Sequence, residues 1–150
     1  MDTMDVKGQA SVEYLLLALV FLIILGSVTV PLVGNAIGNS TDVSHASDAS
    51  AAINSIANAV GIVYSNGPGA KRTINVYFSQ SGTLYYSSAN STIYMSVFIK
   101  STSTNKTIDA NVPIAVNFPN GGNVNNRTNY NATVTWANGT SNVNVALTPS

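Results

Sequence analysis

The chain has no cysteine, one histidine and very little charge: Lys, Arg, Asp and Glu make up 8% of its 150 residues, against about 25% in an ordinary soluble domain. Without cysteine there is no disulfide framework, no thiol nucleophile and no thiolate metal site. Six Lys+Arg balance six Asp+Glu, and the basic residues are scattered, so there is no electrostatic footprint for nucleic acid. A disordered or collagen-like chain is excluded as well, because 45% of the residues are hydrophobic and charge is scarce.

The same scarcity weighs against catalysis. His45 is the only imidazole, with Asp42 and Asp48 at i−3 and i+3. On one helix face these three could form a weak metal site, but a solvated polar face is the expectation. Further along the chain Asp109 has no second carboxylate nearby to pair with as acid and base. No glycine-rich, phosphate-cradling motif precedes a helix. We therefore expect no enzyme, no cofactor, no metal and no catalytic residue.

Neutral polarity fills the gap, with 19 Asn, 18 Ser and 14 Thr. The apolar residues are concentrated instead. No charge occurs between Glu13 and Asp42, and Tyr14 to Val33 is a nearly continuous apolar run of 20 residues. As a helix this run spans about 30 Å, the thickness of a bilayer's hydrocarbon core. Being apolar on every face, it reads as a membrane-inserted segment rather than a core helix. Lys7 precedes it and the next basic residue is Lys71, so the amino end is expected in the cytoplasm and the rest outside. Pro31 should kink or interrupt the helix near Pro31–Gly38.

Beyond it, Val43, Ala46, Ala49, Ile53, Ile56, Val60 and Val63 recur at spacings of three and four. They predict an amphipathic helix with Ser40, Thr41 or Asp42 as a fresh N-cap. Its stripe could pack on its own domain or form a helix–helix seam in an assembly. Ser65-Asn66-Gly67-Pro68-Gly69 ends it. From Thr73 the period becomes two: Ile74/Val76/Phe78, Ile93/Met95/Val97/Ile99, Val112/Ile114/Val116/Phe118, Tyr130/Ala132/Val134/Trp136 and Val143/Val145/Leu147. With Leu84-Tyr85-Tyr86 these predict five or six strands. The expected fold is α+β: a long N-terminal hydrophobic α-helix, then a C-terminal antiparallel β-sheet or small β-sandwich.

Lys7-Gly8-Gln9-Ala10-Ser11-Val12-Glu13-Tyr14 abuts the apolar run. A secretory signal is cut after its apolar region; here the small residue Gly8 lies before it. Glu13 sits against the run, where a carboxylate inside a bilayer costs about 2.5–3.5 kcal/mol and usually has a partner. If Gln9 were the new N-terminus, its amine would lie one helical turn from Glu13, or within reach of a neighbouring chain's Glu13.

Lys7, Gly8, Gln9, Ser11, Glu13 and Tyr14 resemble the class III signal peptide of archaeal type IV pilin-like proteins. The resemblance covers about residues 7–30. It implies cleavage between Gly8 and Gln9 by a prepilin peptidase that recognises Lys7, Gly8, Gln9, Ser11 and Glu13. The helix would then be retained as a membrane anchor and extracted by the pilus assembly machinery. The partners implied are copies of this chain or related pilins in a helical filament, with Glu13 neutralising the Gln9 amine of a neighbouring subunit. Archaellin-type members lack the Gln-x-Ser-x-Glu-Tyr run, which favours a pilus. Four segments are then expected: a cleaved cytoplasmic leader at 1–8, a membrane or filament-core helix at 9–33, an amphipathic continuation at 34–65 and an exported β-domain at 66–150. The alternative is a monomeric, membrane-anchored binding or adhesion protein.

Six Asn-x-Ser/Thr sequons, at Asn39, Asn90, Asn105, Asn126, Asn131 and Asn138, are candidate N-glycosylation sites. With 19 Asn and 32 Ser/Thr chance supplies about four. Asn105 and Asn138 are predicted in turns. Tyr85, Tyr86, Tyr94 and Tyr130 could form an exposed adhesive surface, or serve as ordinary sheet residues.

Overall fold

In a computed structural model the backbone is described from Thr3 and the side chains from Ser11 to Ser150. One helix, α1 (Thr3–Asn66), precedes eight strands. The strands are β1 (Lys71–Phe78), β2 (Gly82–Ser87), β3 (Thr92–Ile99), β4 (Thr104–Asn111), β5 (Ala115–Asn117), β6 (Asn123–Val124), β7 (Thr128–Thr135) and β8 (Asn142–Pro149). The chain divides into two units, residues 1–39 and 40–150. The fold is α+β, as the change of hydrophobic period predicts.

Pro31 lies inside α1 and does not interrupt it, so of the kink or break expected there the break does not occur. Proline lacks an N–H and so cannot donate to the carbonyl of Ser27, but the turns on either side keep their own bonds. Nor does a fresh N-cap occur near Ser40. Asp42 is within the helix, and its side chain serves another element, described below.

The second unit is two four-stranded sheets and the C-terminal part of α1 around one apolar core. Strand order is β1-β7-β8-β5 in one sheet and β4-β3-β2-β6 in the other. Period-two alternation turns one face of each inward, with Val76 and Phe78 of β1, Ile93, Met95 and Val97 of β3, and Val143, Val145 and Leu147 of β8 all buried. Ala49, Ile53, Ile56, Val60 and Val63 join that core. The helical stripe therefore packs on its own domain from Ala46 onward, each buried Ile or Val contributing about 1.5–3 kcal/mol. Val43, at the head of the predicted stripe, is 70% exposed and does not take part.

α1 stops as the breaker requires. Gly67, with φ 86°, supplies the left-handed residue after the helix, and its N–H reaches the carbonyls of Val63 and Tyr64, each at 3.2 Å. Tyr64 stacks on Trp136 with ring centroids 5.6 Å apart, fastening the helix end beside β7.

The β-region departs from expectation in three respects. There are eight strands rather than five or six. β4 escapes sequence detection because it lies at a sheet edge and buries only Ile108 and Ala110. The expected strand over Val112–Phe118 shrinks to Ala115–Asn117, which pairs with β8 in parallel, so the first sheet is mixed rather than antiparallel. Asn105 accordingly lies in a strand and not in a turn, whereas Asn138 is in the turn before β8.

Candidate functional site: an exposed apolar helix segment

Within residues 11–37 every side chain faces solvent. The segment is apolar around its whole circumference: Leu15, Leu17, Phe21, Leu22 and Ile23 are all more than 60% exposed, as are Val28, Val30 and Leu32. An ordinary surface helix shows one apolar stripe and one polar face. Here Ser27 Oγ donates to the Ile24 carbonyl at 2.9 Å, so that hydroxyl is satisfied within the helix itself. Gly26, Gly34 and Gly38 have open space where a side chain would be, so another helix could approach the backbone closely there. The helix is long and apolar enough to cross a membrane.

Glu13 is exposed at the front of this surface, with Ser11 one turn or less away. Lys7, Gly8 and Gln9 lie outside the residues whose side chains are described, and with them the expected cleavage point and the Gln9 amine.

The candidate sequons occupy different settings. Asn39 is exposed on α1. Asn90, Asn126 and Asn138 are exposed in turns, each followed by a residue in the left-handed region: Ser91 (φ 51°), Arg127 (φ 50°) and Gly139 (φ 80°). Asn105 is exposed on edge strand β4. Asn131 is half-buried in central strand β7, and its Oδ1 accepts from Asn75 Nδ2 at 3.4 Å.

The tyrosines separate in the same way. Tyr85 is 52% exposed and contacts Tyr94, while Tyr86 packs against the core. Tyr130 is buried, edge-on to Phe78, and its hydroxyl accepts from the Asn125 N–H at 2.8 Å. It belongs to the core and not to an adhesive surface.

His45 and Asp42 each turn to a bonding partner elsewhere in the domain. His45 Nδ1 is paired with Ser79 Oγ at 2.9 Å. Asp42 is buried, and its carboxylate accepts from the N–H groups of Lys100 at 3.0 Å and Ser101 at 2.7 Å. The Ser101 N–H and hydroxyl hold the Asp42 carboxyl below its usual range, helped by the Lys100 N–H and by His45, against the opposing effect of burial. Among the described residues no three of His, Asp and Glu gather as a metal site.

Sequence reasoning gave Asp42 the wrong role because its partners lie 58 and 59 residues away and offer only backbone groups. Gln80 carries no signal in the sequence for the same reason: its carboxamide bonds the backbone of Phe98.

No family model, curated protein or solved structure matches the chain.

Proposed function

We propose that the chain is a pilin, the structural subunit of an archaeal type IV pilus-like surface filament that supports surface attachment. In this reading a prepilin peptidase cuts between Gly8 and Gln9, the C-terminal domain lies outside the cell, and the pilus assembly machinery draws the N-terminal helix from the membrane into a bundle with copies of itself. Glycans on some of the sequons would add to the neutral outer surface.

The observation that carries the reading is the exposed apolar surface of residues 11–37, in a helix whose later turns join the core of a β-domain. Each Leu, Ile or Phe left in water forgoes about 1.5–3 kcal/mol, so the segment needs lipid or other helices around it. The six-position match at Lys7, Gly8, Gln9, Ser11, Glu13 and Tyr14 favours helices as the final surroundings. Transfer from lipid to a helix bundle gains little hydrophobic energy. Specificity would therefore come from close packing at Ala18 and Gly26 and from the pairing of Glu13 with an amine.

Electron microscopy of cells with and without the gene, with mass spectrometry of purified filaments, tests this. The expected result is filaments that disappear with the gene and contain a chain beginning at Gln9. A chain found only as an uncut monomer in the membrane overturns the reading and leaves the anchored binding protein in its place.

A further inference from the structure

On the outer face of the β4-β3-β2-β6 sheet, alternation turns Tyr85, Tyr94, Ser96, Phe98, Asn105 and Thr107 away from the core. Phe98 lies opposite Asn105, and Ser96 opposite Thr107. Side chains stand roughly perpendicular to a sheet. The rings of Tyr85 and Phe98 thus wall a shallow trough of about 440 Å³, with the short side chains of Thr83 and Ser96 between them and Asn105 on its border. No charged side chain lines it.

The backbone sets how close Phe98 and Asn105 come. Backbone pairing of β2 with β3 runs from Leu84–Met95 to Ser87–Thr92 and does not reach Phe98. Gln80 takes the place of the missing strand: the Phe98 N–H donates to its Oε1 at 2.8 Å, and its Nε2 donates to the Phe98 carbonyl at 3.2 Å. Both polar groups of Phe98 therefore point toward Gln80 and away from β4. Phe98 and Asn105 are then a non-hydrogen-bonded antiparallel pair, the type whose side chains are closest, with Cα atoms about 4.5 Å apart. The Asn105 carboxamide bonds no group among the described residues, and Thr107, the third residue of its sequon, faces the same way.

We propose that this trough is the seat of a neutral saccharide N-linked to Asn105. Attachment replaces one N–H of the Asn105 carboxamide with a bond from nitrogen to the anomeric carbon of a lipid-linked sugar phosphate. The anomeric C–O bond breaks, the lipid phosphate leaves with the electron pair, and the proton comes off the nitrogen. Once attached, the sugar's C–H edges meet the electron-rich faces of Phe98 and Tyr85. Its hydroxyls meet those of Ser96, Thr83 and Thr107. Asn131 lacks this setting, since it lies in a central strand and its carboxamide is already bonded. The inference rests on the export of residues 66–150 proposed above.

The test uses the full chain purified from the cells that make it. Mass spectrometry of the peptide containing Asn105 is expected to show the sugar. Phe98→Ala is then made in the parent and in an Asn105→Gln background, and thermal unfolding is followed by the fluorescence of Trp136, the single tryptophan. The expected Tm loss is about 3 °C larger in the glycosylated parent, the coupling a seated sugar requires. An unmodified Asn105 beside another occupied sequon overturns the proposal while export stands. If no sequon is modified the proposal also fails, and protease accessibility of residues 66–150 on intact cells decides export separately. An occupied Asn105 with equal Tm losses in both backgrounds overturns the seat.

Discussion

The carboxylate of Asp42, on α1, accepts the backbone N–H of Ser101 at 2.7 Å and that of Lys100 at 3.0 Å. It thereby holds the turn between β3 and β4, although 59 residues separate Asp42 from Ser101. Two otherwise unpaired N–H groups of a tight turn meet the one acid buried in the second unit.

This bond makes stability pH-dependent. The Asp42 carboxyl is held below its ordinary value, so its contribution is complete above about pH 3.9 and is lost as the pH falls through the lowered folded-state value. Asp42→Asn should lower the denaturation midpoint at neutral pH, and the gap to the parent should close on acidification. Amide exchange at Lys100 and Ser101 should quicken in the variant. A gap of constant size from neutral to strongly acidic pH would falsify the assignment.

The helical stripe gives a contrast between two positions on one helix. Ile53 is fully buried and Val43 is 70% exposed. Ile53→Ala should cost about 2–5 kcal/mol, whereas Val43→Ala should stay within about 0.5 kcal/mol. Urea unfolding read by Trp136 fluorescence checks both. Equal effects would mean that the stripe is not packed on this domain.

Gly122 marks a close backbone approach. It adopts φ 68°, its carbonyl accepts the Leu84 N–H at 2.9 Å, and an added methyl would overlap the Leu84 carbonyl. Gly122→Ala should therefore destabilise by about 2 kcal/mol or more. Gly139, at φ 80° with open space around it, should lose less on the same change. Thermal unfolding of the two variants ranks them.

Glu13 and Gly8 test the assembly reading separately. Glu13→Ala should leave membrane insertion and cleavage largely intact and reduce incorporation into filaments. Undiminished incorporation would remove the counter-charge role. Gly8→Leu should retain the leader, seen by mass spectrometry as the full eight residues at the N-terminus.

The α+β order, the stop at Gly67 and the inward residues of the longer strands were legible because hydrophobic period and glycine chemistry are local. Val76, Ile93, Met95, Val134 and Val143 alternate as expected and are buried. β4 was not legible, because an edge strand needs few apolar residues. The parallel pairing of β5 with β8 was not legible either. β5 is three residues long, and β6 and β7 intervene in the chain before its partner. The candidate site divides likewise. Its apolar surface and Glu13 are plain in the sequence, whereas the trough beside Asn105 depends on a register between strands.

The sequence by itself determined the charge-free apolar helix, the neutral Asn/Ser/Thr surface and the change of period after the glycine-proline break, because composition and periodicity belong to consecutive residues. Only the tertiary structure decided that the stripe from Ala49 to Val63 is core and that Tyr130 is hidden while Tyr85 is exposed. It also turned Asp42 from an expected helix cap into the clasp of a distant turn. Those outcomes depend on which groups meet across tens of residues, where burial and unpaired N–H groups choose the partner.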